Sequence, residues 1–128
     1  MISNDRQEAV HLGLQQAIDL YHSGRLREAI VLMQKLSKRF PDSAKAWGYL
    51  GFLQREADRP EKAANCFQHA VCLSPRSERA SLGLFYTLWR LRRYSAALKE
   101  MGRFVLVAEP KAYLALFPEG NSQVAGRG

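Results

Sequence analysis

The sequence predicts an all-α fold made of three stacked helical hairpins. Two observations carry that prediction. The chain matches itself at an offset of 34 residues, and within each copy apolar residues recur at spacings of three and four. Ala29, Ala63 and Ala97 keep the 34-residue interval, as do Arg25, Arg59 and Arg93, and Met33, Phe67 and Met101. Pro41 and Pro75 keep it too, and Pro110 comes one residue late. The copies are thereby set at about 10–43, 44–77 and 78–111.

The middle copy shows what one unit requires. From Ser43 to Ala57, Ala46, Trp47, Leu50, Leu53, Gln54 and Ala57 line one face of a helix. Asp42 and Ser43, after Pro41, carry side-chain oxygens suited to capping its first free amides. Asp58-Arg59-Pro60 then breaks the chain, and proline opens the next helix, where its missing N–H costs nothing. The second helix, about 60–73, is expected to bury Ala63, Ala64, Phe67, Ala70 and Val71 before Ser74-Pro75 ends it. Gly51 and Ala63 are small where the two helices must approach, while Trp47 and Phe67 fill the space around them. Such a hairpin cannot bury both its faces alone, so similar units stack.

Composition bounds the function. The chain has 128 residues, enough for one continuous core, and no apolar run approaches the roughly 18 residues of a membrane span. The N-terminal stretch carries Asp5 and Glu8 and lacks the apolar segment of a secretory signal, so a cytoplasmic location is expected. Cys66 and Cys72 stand six residues apart on one helix, about 9 Å along its axis, too far to bond to each other. His11 and His22 lie about 16 Å apart on theirs, and Cys66-x-x-His69 supplies two metal ligands where zinc wants four. With no phosphate-cradling glycine loop and no nucleophile elbow, the chain is read as a non-enzyme without metal or cofactor. The net charge of +7 favours an acidic partner.

Trp47-x-x-Leu50-Gly51, followed by Ala63, Phe67, Ala70 and Pro75, resembles the signature of the tetratricopeptide repeat (TPR). Gln54 replaces its usual tyrosine. Repeat one keeps Gly24, Ala29 and Pro41 but has Gly13, Gln16 and Ala17 at the Trp, Leu and Gly places. Repeat three keeps Leu84 and Ala97 and has Phe85 at the small place, so a displaced helix contact is expected there. The resemblance implies a right-handed superhelical solenoid of three helix-turn-helix repeats. It also implies a short capping helix over 111–117, with Tyr113, Leu116 and Phe117 packing on repeat three or supporting self-association. Residues 118–128, with three glycines and no apolar period, are expected to form a flexible tail.

The family resemblance further implies a protein-interaction module, an adaptor or chaperone holding a peptide segment or acidic protein surface in a concave groove. Its second, fifth, ninth and twelfth places are His11, Leu14, Ile18 and Tyr21 in repeat one. They are Lys45, Gly48, Phe52 and Arg55 in repeat two, and Arg79, Leu82, Tyr86 and Trp89 in repeat three, with Arg90 just beyond. This composes an aromatic trough with cationic edges. Leu14 and Ile18 stand where clamps for chaperone tails carry Lys and Asn, which disfavours that use. Alternatives are an immunity-type inhibitor of a toxin, a self-assembling scaffold, or weak nucleic-acid binding through Arg90-Leu91-Arg92-Arg93. The last is disfavoured, because Arg92 and Arg93 are read as a solvated turn.

Overall fold

The structure, a computed structural model, describes residues 2–116, with side chains from residue 5 onward. Six helices follow one another: α1 (Ile2–His22), α2 (Leu26–Arg39), α3 (Ala44–Glu56), α4 (Pro60–Leu73), α5 (Glu78–Arg90) and α6 (Tyr94–Val107). Each hairpin, α1/α2, α3/α4 and α5/α6, packs on the next through α2 with α3 and α4 with α5, which makes a TPR-type solenoid. The described residues contain no strand. Phe117 and the tail 118–128 lie outside them.

The hairpins repeat in local chemistry as well as in length. Ser43 Oγ accepts the Ala46 amide and Ser77 Oγ accepts the Ala80 amide, each at 3.2 Å, capping α3 and α5 alike. Within the hairpins the chain turns through one left-handed residue in each copy: Gly24 (φ 79°), Asp58 (φ 61°) and Arg92 (φ 63°). The following amide reaches back to the helix in each case, Arg25 to Leu20, Arg59 to Gln54 and Arg93 to Leu88, at 2.8–2.9 Å. These are Schellman closures, in which the left-handed residue lets the chain reverse onto the last carbonyls of the helix.

Phe67 sets the spacing in the middle of the stack. Its buried ring on α4 lies between the backbones of α3 and α5. A Cβ on Gly51 would come within 3.1 Å of the ring, and one on Gly83 within 2.4 Å. In repeat three Phe85 occupies the place of Gly51. It is accommodated because flexible Met101 replaces Phe67, and it packs with Ala97, Phe104 and Tyr113.

The last hairpin is closed by the chain that leaves it. Ser81 stands where repeat two has Trp47, whose ring stacks on His69 at 4.2 Å and whose Nε1 donates to the Pro41 carbonyl. Tyr113 enters the room beside Ser81, its ring 5.5 Å from Phe85 and 5.6 Å from Phe104. The Ser81 hydroxyl donates to Glu100 at 2.7 Å, so the Tyr113 hydroxyl, also at 2.7 Å, donates to Ser81. Arg103 holds the buried Glu100 through both its oxygens, at 2.9 and 2.6 Å. The Glu78 carboxylate at the head of α5 accepts the Lys111 and Tyr113 amides. Partial burial pushes that carboxyl up. The amides of Tyr113, Ala112 and Lys111 together outweigh burial and hold it below its ordinary value.

The cap is therefore shorter than the helix expected over 111–117. With its amides committed to Glu78 and Tyr113 drawn inward, the segment closes only a single 3-10 turn, Leu114–Leu116. Tyr113 is buried on its own chain and so is not available for self-association.

Two glycines should respond oppositely to a methyl group. A Cβ at Gly48 meets only Ala70, at 4.0 Å, so Gly48→Ala should raise stability by up to about 1 kcal/mol through helix propensity. Gly83→Ala should lower it by about 1–3 kcal/mol through the Phe67 clash, as urea titration would show. At the closing segment, Tyr113→Phe should cost about 1 kcal/mol, and Tyr113→Ala about 3–5 kcal/mol. Burial pushes the Tyr113 phenol up to about 12 from an ordinary 10. Its neutral form thus favours the fold below pH 10, and this contribution fades as pH rises from 10 towards 12. The stability gap between wild type and Tyr113→Phe should accordingly narrow above pH 10 in parallel denaturation curves.

Candidate functional site

The first helices of the hairpins, α1, α3 and α5, carry all the sequence-predicted site residues, with Arg90 the last residue of α5. At the second place, His11, Lys45 and Arg79 are exposed. His11 borders a shallow, open depression of about 480 Å³ with Gln7, Glu8 and Leu12. At the fifth place Leu14 and Leu82 are half-buried, packed on the first and last apolar clusters. Gly48 sits between them, and no neighbour requires it to be glycine.

The aromatic side chains fall into two groups. In the first, Tyr21 meets Phe52 edge-on at 5.3 Å, and Tyr49 stacks on Phe52 at 5.5 Å. The Tyr21 hydroxyl donates to Glu56 at 2.7 Å, a bond that raises the phenol above its ordinary value and keeps it a neutral donor. The Arg55 guanidinium lies 5.7 Å over Phe52 and 5.9 Å over Phe67. Ile18 is half-buried on the same helix as Tyr21. This group is braced on both sides.

The second group is open. Tyr86 and Trp89 remain exposed on α5, resting on buried Phe85, each with ring centroids 5.7 Å from it. Tyr94 approaches Trp89 edge-on at 4.7 Å.

The cationic edges are partly engaged. Arg90 is paired with Asp58, and Arg93 reaches both oxygens of Glu61 at 3.1 and 3.2 Å. The basic run 90–93 is therefore largely answered by carboxylates of the preceding repeat, with Arg92 in the left-handed turn. Lys45 and Arg79 make no ion pair among the described residues. Sequence reasoning missed Asp58 and Glu61 as partners. The signal was there in two opposite-charge pairs, each 32 residues apart, two short of a repeat, which brings equivalent turns side by side.

Two of the residues weighed for metal or thiol chemistry, His69 and Cys66, are engaged in packing. His69 lies flat on Trp47, and burial pushes the Cys66 thiol up to about 11, away from reactivity. Cys72 is exposed. No described helix is long and apolar enough to cross a membrane.

Residues 14–78 match the family model of the tetratricopeptide repeat. Over 53 residues, 41% of the chain, it is 34% identical to the peroxisomal targeting signal 1 receptor of Dictyostelium discoideum, and it spans 8% of that receptor's length. The fold resembles the Yersinia enterocolitica type III secretion chaperone SycD, in complex with a peptide of the translocator YopD. That match has a TM-score of 0.74 at 14% identity and covers 93% of this chain and 92% of that one. It also resembles the second TPR domain of Spaghetti bound to the HSP90 peptide SRMEEVD, with a TM-score of 0.71 at 13% identity over 81% and 95% of the two chains. With its 34-residue register, its left-handed turns and its stacked hairpins all in place, the chain belongs to the tetratricopeptide repeat family.

Proposed function

We propose that the chain is an adaptor or chaperone that binds a peptide segment of another protein along α1, α3 and α5. The observation that carries this reading is the open pair Tyr86 and Trp89, held on the rigid base of Phe85. Flat aromatic rings fixed from below offer contact area at small entropic cost, the usual character of binding anchors. Lys45 and Arg79, exposed at the rim, suit acidic side chains on the same segment. The braced group around Phe52 supplies a floor rather than an anchor.

The likeness to SycD and to the Spaghetti domain supports the reading, since both were captured with peptides. The ligand of this chain is expected to differ from a chaperone tail, because Leu14 and Ile18 replace the polar clamp. A cytoplasmic site of action is part of the proposal.

The double variant Tyr86→Ala, Arg79→Glu should lose capture of the partner from native extract at least tenfold while its helical circular dichroism is unchanged. Both side chains are exposed, so the fold should tolerate the change. Undiminished capture would move the binding site off this face.

A further inference from the structure

Because the hairpins repeat in register, equivalent positions can be compared directly. The second helix of each hairpin turns one stripe towards the hairpin that follows: Ile30, Met33 and Ser37 on α2, then Ala64, Phe67 and Val71 on α4. On α6 the same register holds Leu98, Met101 and Val105. Ile30 is 5% exposed and Ala64 8%, but Leu98 is 47% exposed. Ser37 is 2% exposed and Val71 4%, but Val105 is 46% exposed. In the first two repeats α3 and α5 cover the stripe. In the third nothing among the described residues does, because Tyr113 seals the other side, against Ser81 and Phe85.

A repeat whose outer side simply faces water carries polar residues there. This one keeps Leu98, Met101 and Val105, of which Leu98 and Val105 are exposed. Gly102, beside Met101, has open space where its side chain would be, so another backbone can approach closely. The stack itself shows what shape fits: a helix of α3 or α5 type, set across the stripe as α5 is set across Phe67 through Gly83.

Charge selects among such helices. Repeat two offers Asp58 and Glu61 to Arg90 and Arg93 of the hairpin it receives. The equivalent places in repeat three are Arg92 and Ser95, with exposed Lys99 nearby on α6. The partner's last helical turn must therefore be acidic where α5 is basic. A second copy fits poorly. Its α1 would bring His22 and Arg25 against Arg92, and two chains of charge +7 repel.

We propose that the exposed α6 stripe of the third hairpin is a docking surface for an amphipathic helix of another protein with acidic residues in its last turn. This surface is separate from the α1, α3 and α5 face and does not depend on it.

The probe is a labelled synthetic peptide of residues 77–94 carrying Arg90→Glu and Arg93→Glu, with the unaltered peptide as control. By fluorescence anisotropy with the full chain, the acidic peptide should bind saturably and at least about tenfold tighter than the control. Leu98→Glu with Val105→Glu should weaken it at least about tenfold without changing the thermal melt, both side chains being exposed. Arg92→Asp should reverse the preference between peptides, and Tyr86→Ala with Arg79→Glu should leave binding intact.

Absence of binding, equal affinity for both peptides, or loss of binding in the Tyr86→Ala, Arg79→Glu variant would overturn the proposal. A dimer in sedimentation that Leu98→Glu dissolves would instead assign the stripe to a second copy. Binding seen only after removal of residues 117–128 would assign it to the chain's own end.

Discussion

Phe67 belongs to α4, yet the distances among three helices are fixed by its ring. Gly83 presses on it from the next hairpin more closely than an alanine would allow. Gly51 presses on it from within the hairpin, at a distance where an alanine would make the ring give by a few tenths of an ångström. A close-packed interior transmits such a constraint because neither neighbour can retreat without opening a void. The angle at which α5 crosses α4 thus depends on a glycine. So does the position of Phe85, and with it the platform under Tyr86 and Trp89. The candidate binding face is, in this sense, an outcome of packing two layers below it.

The two sides of the last hairpin illustrate different solutions to the end of a stack. On one side a serine replaces tryptophan, and a tyrosine from beyond α6 fills the space, tied down by Glu100 and Glu78. Burying Glu100 carries a desolvation cost that its contacts with Arg103 and Ser81 offset, and such pairs contribute more to orientation than to net stability. On the other side the stacking residues remain apolar and open. A chain that invests a buried polar network in one side and leaves the other uncovered is asymmetric in what it offers to solvent.

Much of the fold was legible because TPR physics is written locally. The capping Ser43 and the proline at the head of α4 act within a few residues of where they are read, and the 34-residue recurrence repeats such local choices along the chain. The closing segment was harder to read. Tyr113 and Ser81 are 32 residues apart, outside any periodic pattern, and a seven-residue apolar run reads equally well as a helix. For the candidate face, the sequence named residues but not which of them stand open. The family resemblance, not periodicity, assigned Phe52 and Trp89 to one face. Phe52 is covered by Tyr21 from the preceding hairpin and Tyr49 from its own helix, whereas Trp89 stays exposed.

The turn residues have an energetic meaning of their own. Gly24 adopts its left-handed conformation freely, whereas Asp58 and Arg92 each adopt it at a cost of about 1 kcal/mol. Asp58 uses its side chain to grip Arg90 of the following hairpin, and an exposed pair of this kind returns about 0–1 kcal/mol. The two amounts nearly cancel, so the total stability of the stack hardly registers the exchange. What changes is its distribution: a hairpin made intrinsically weaker and a junction made stronger. In a one-dimensional array that combination sharpens cooperativity, so that neighbouring units unfold together rather than one by one. The left-handed aspartate thus converts local strain into coupling along the solenoid.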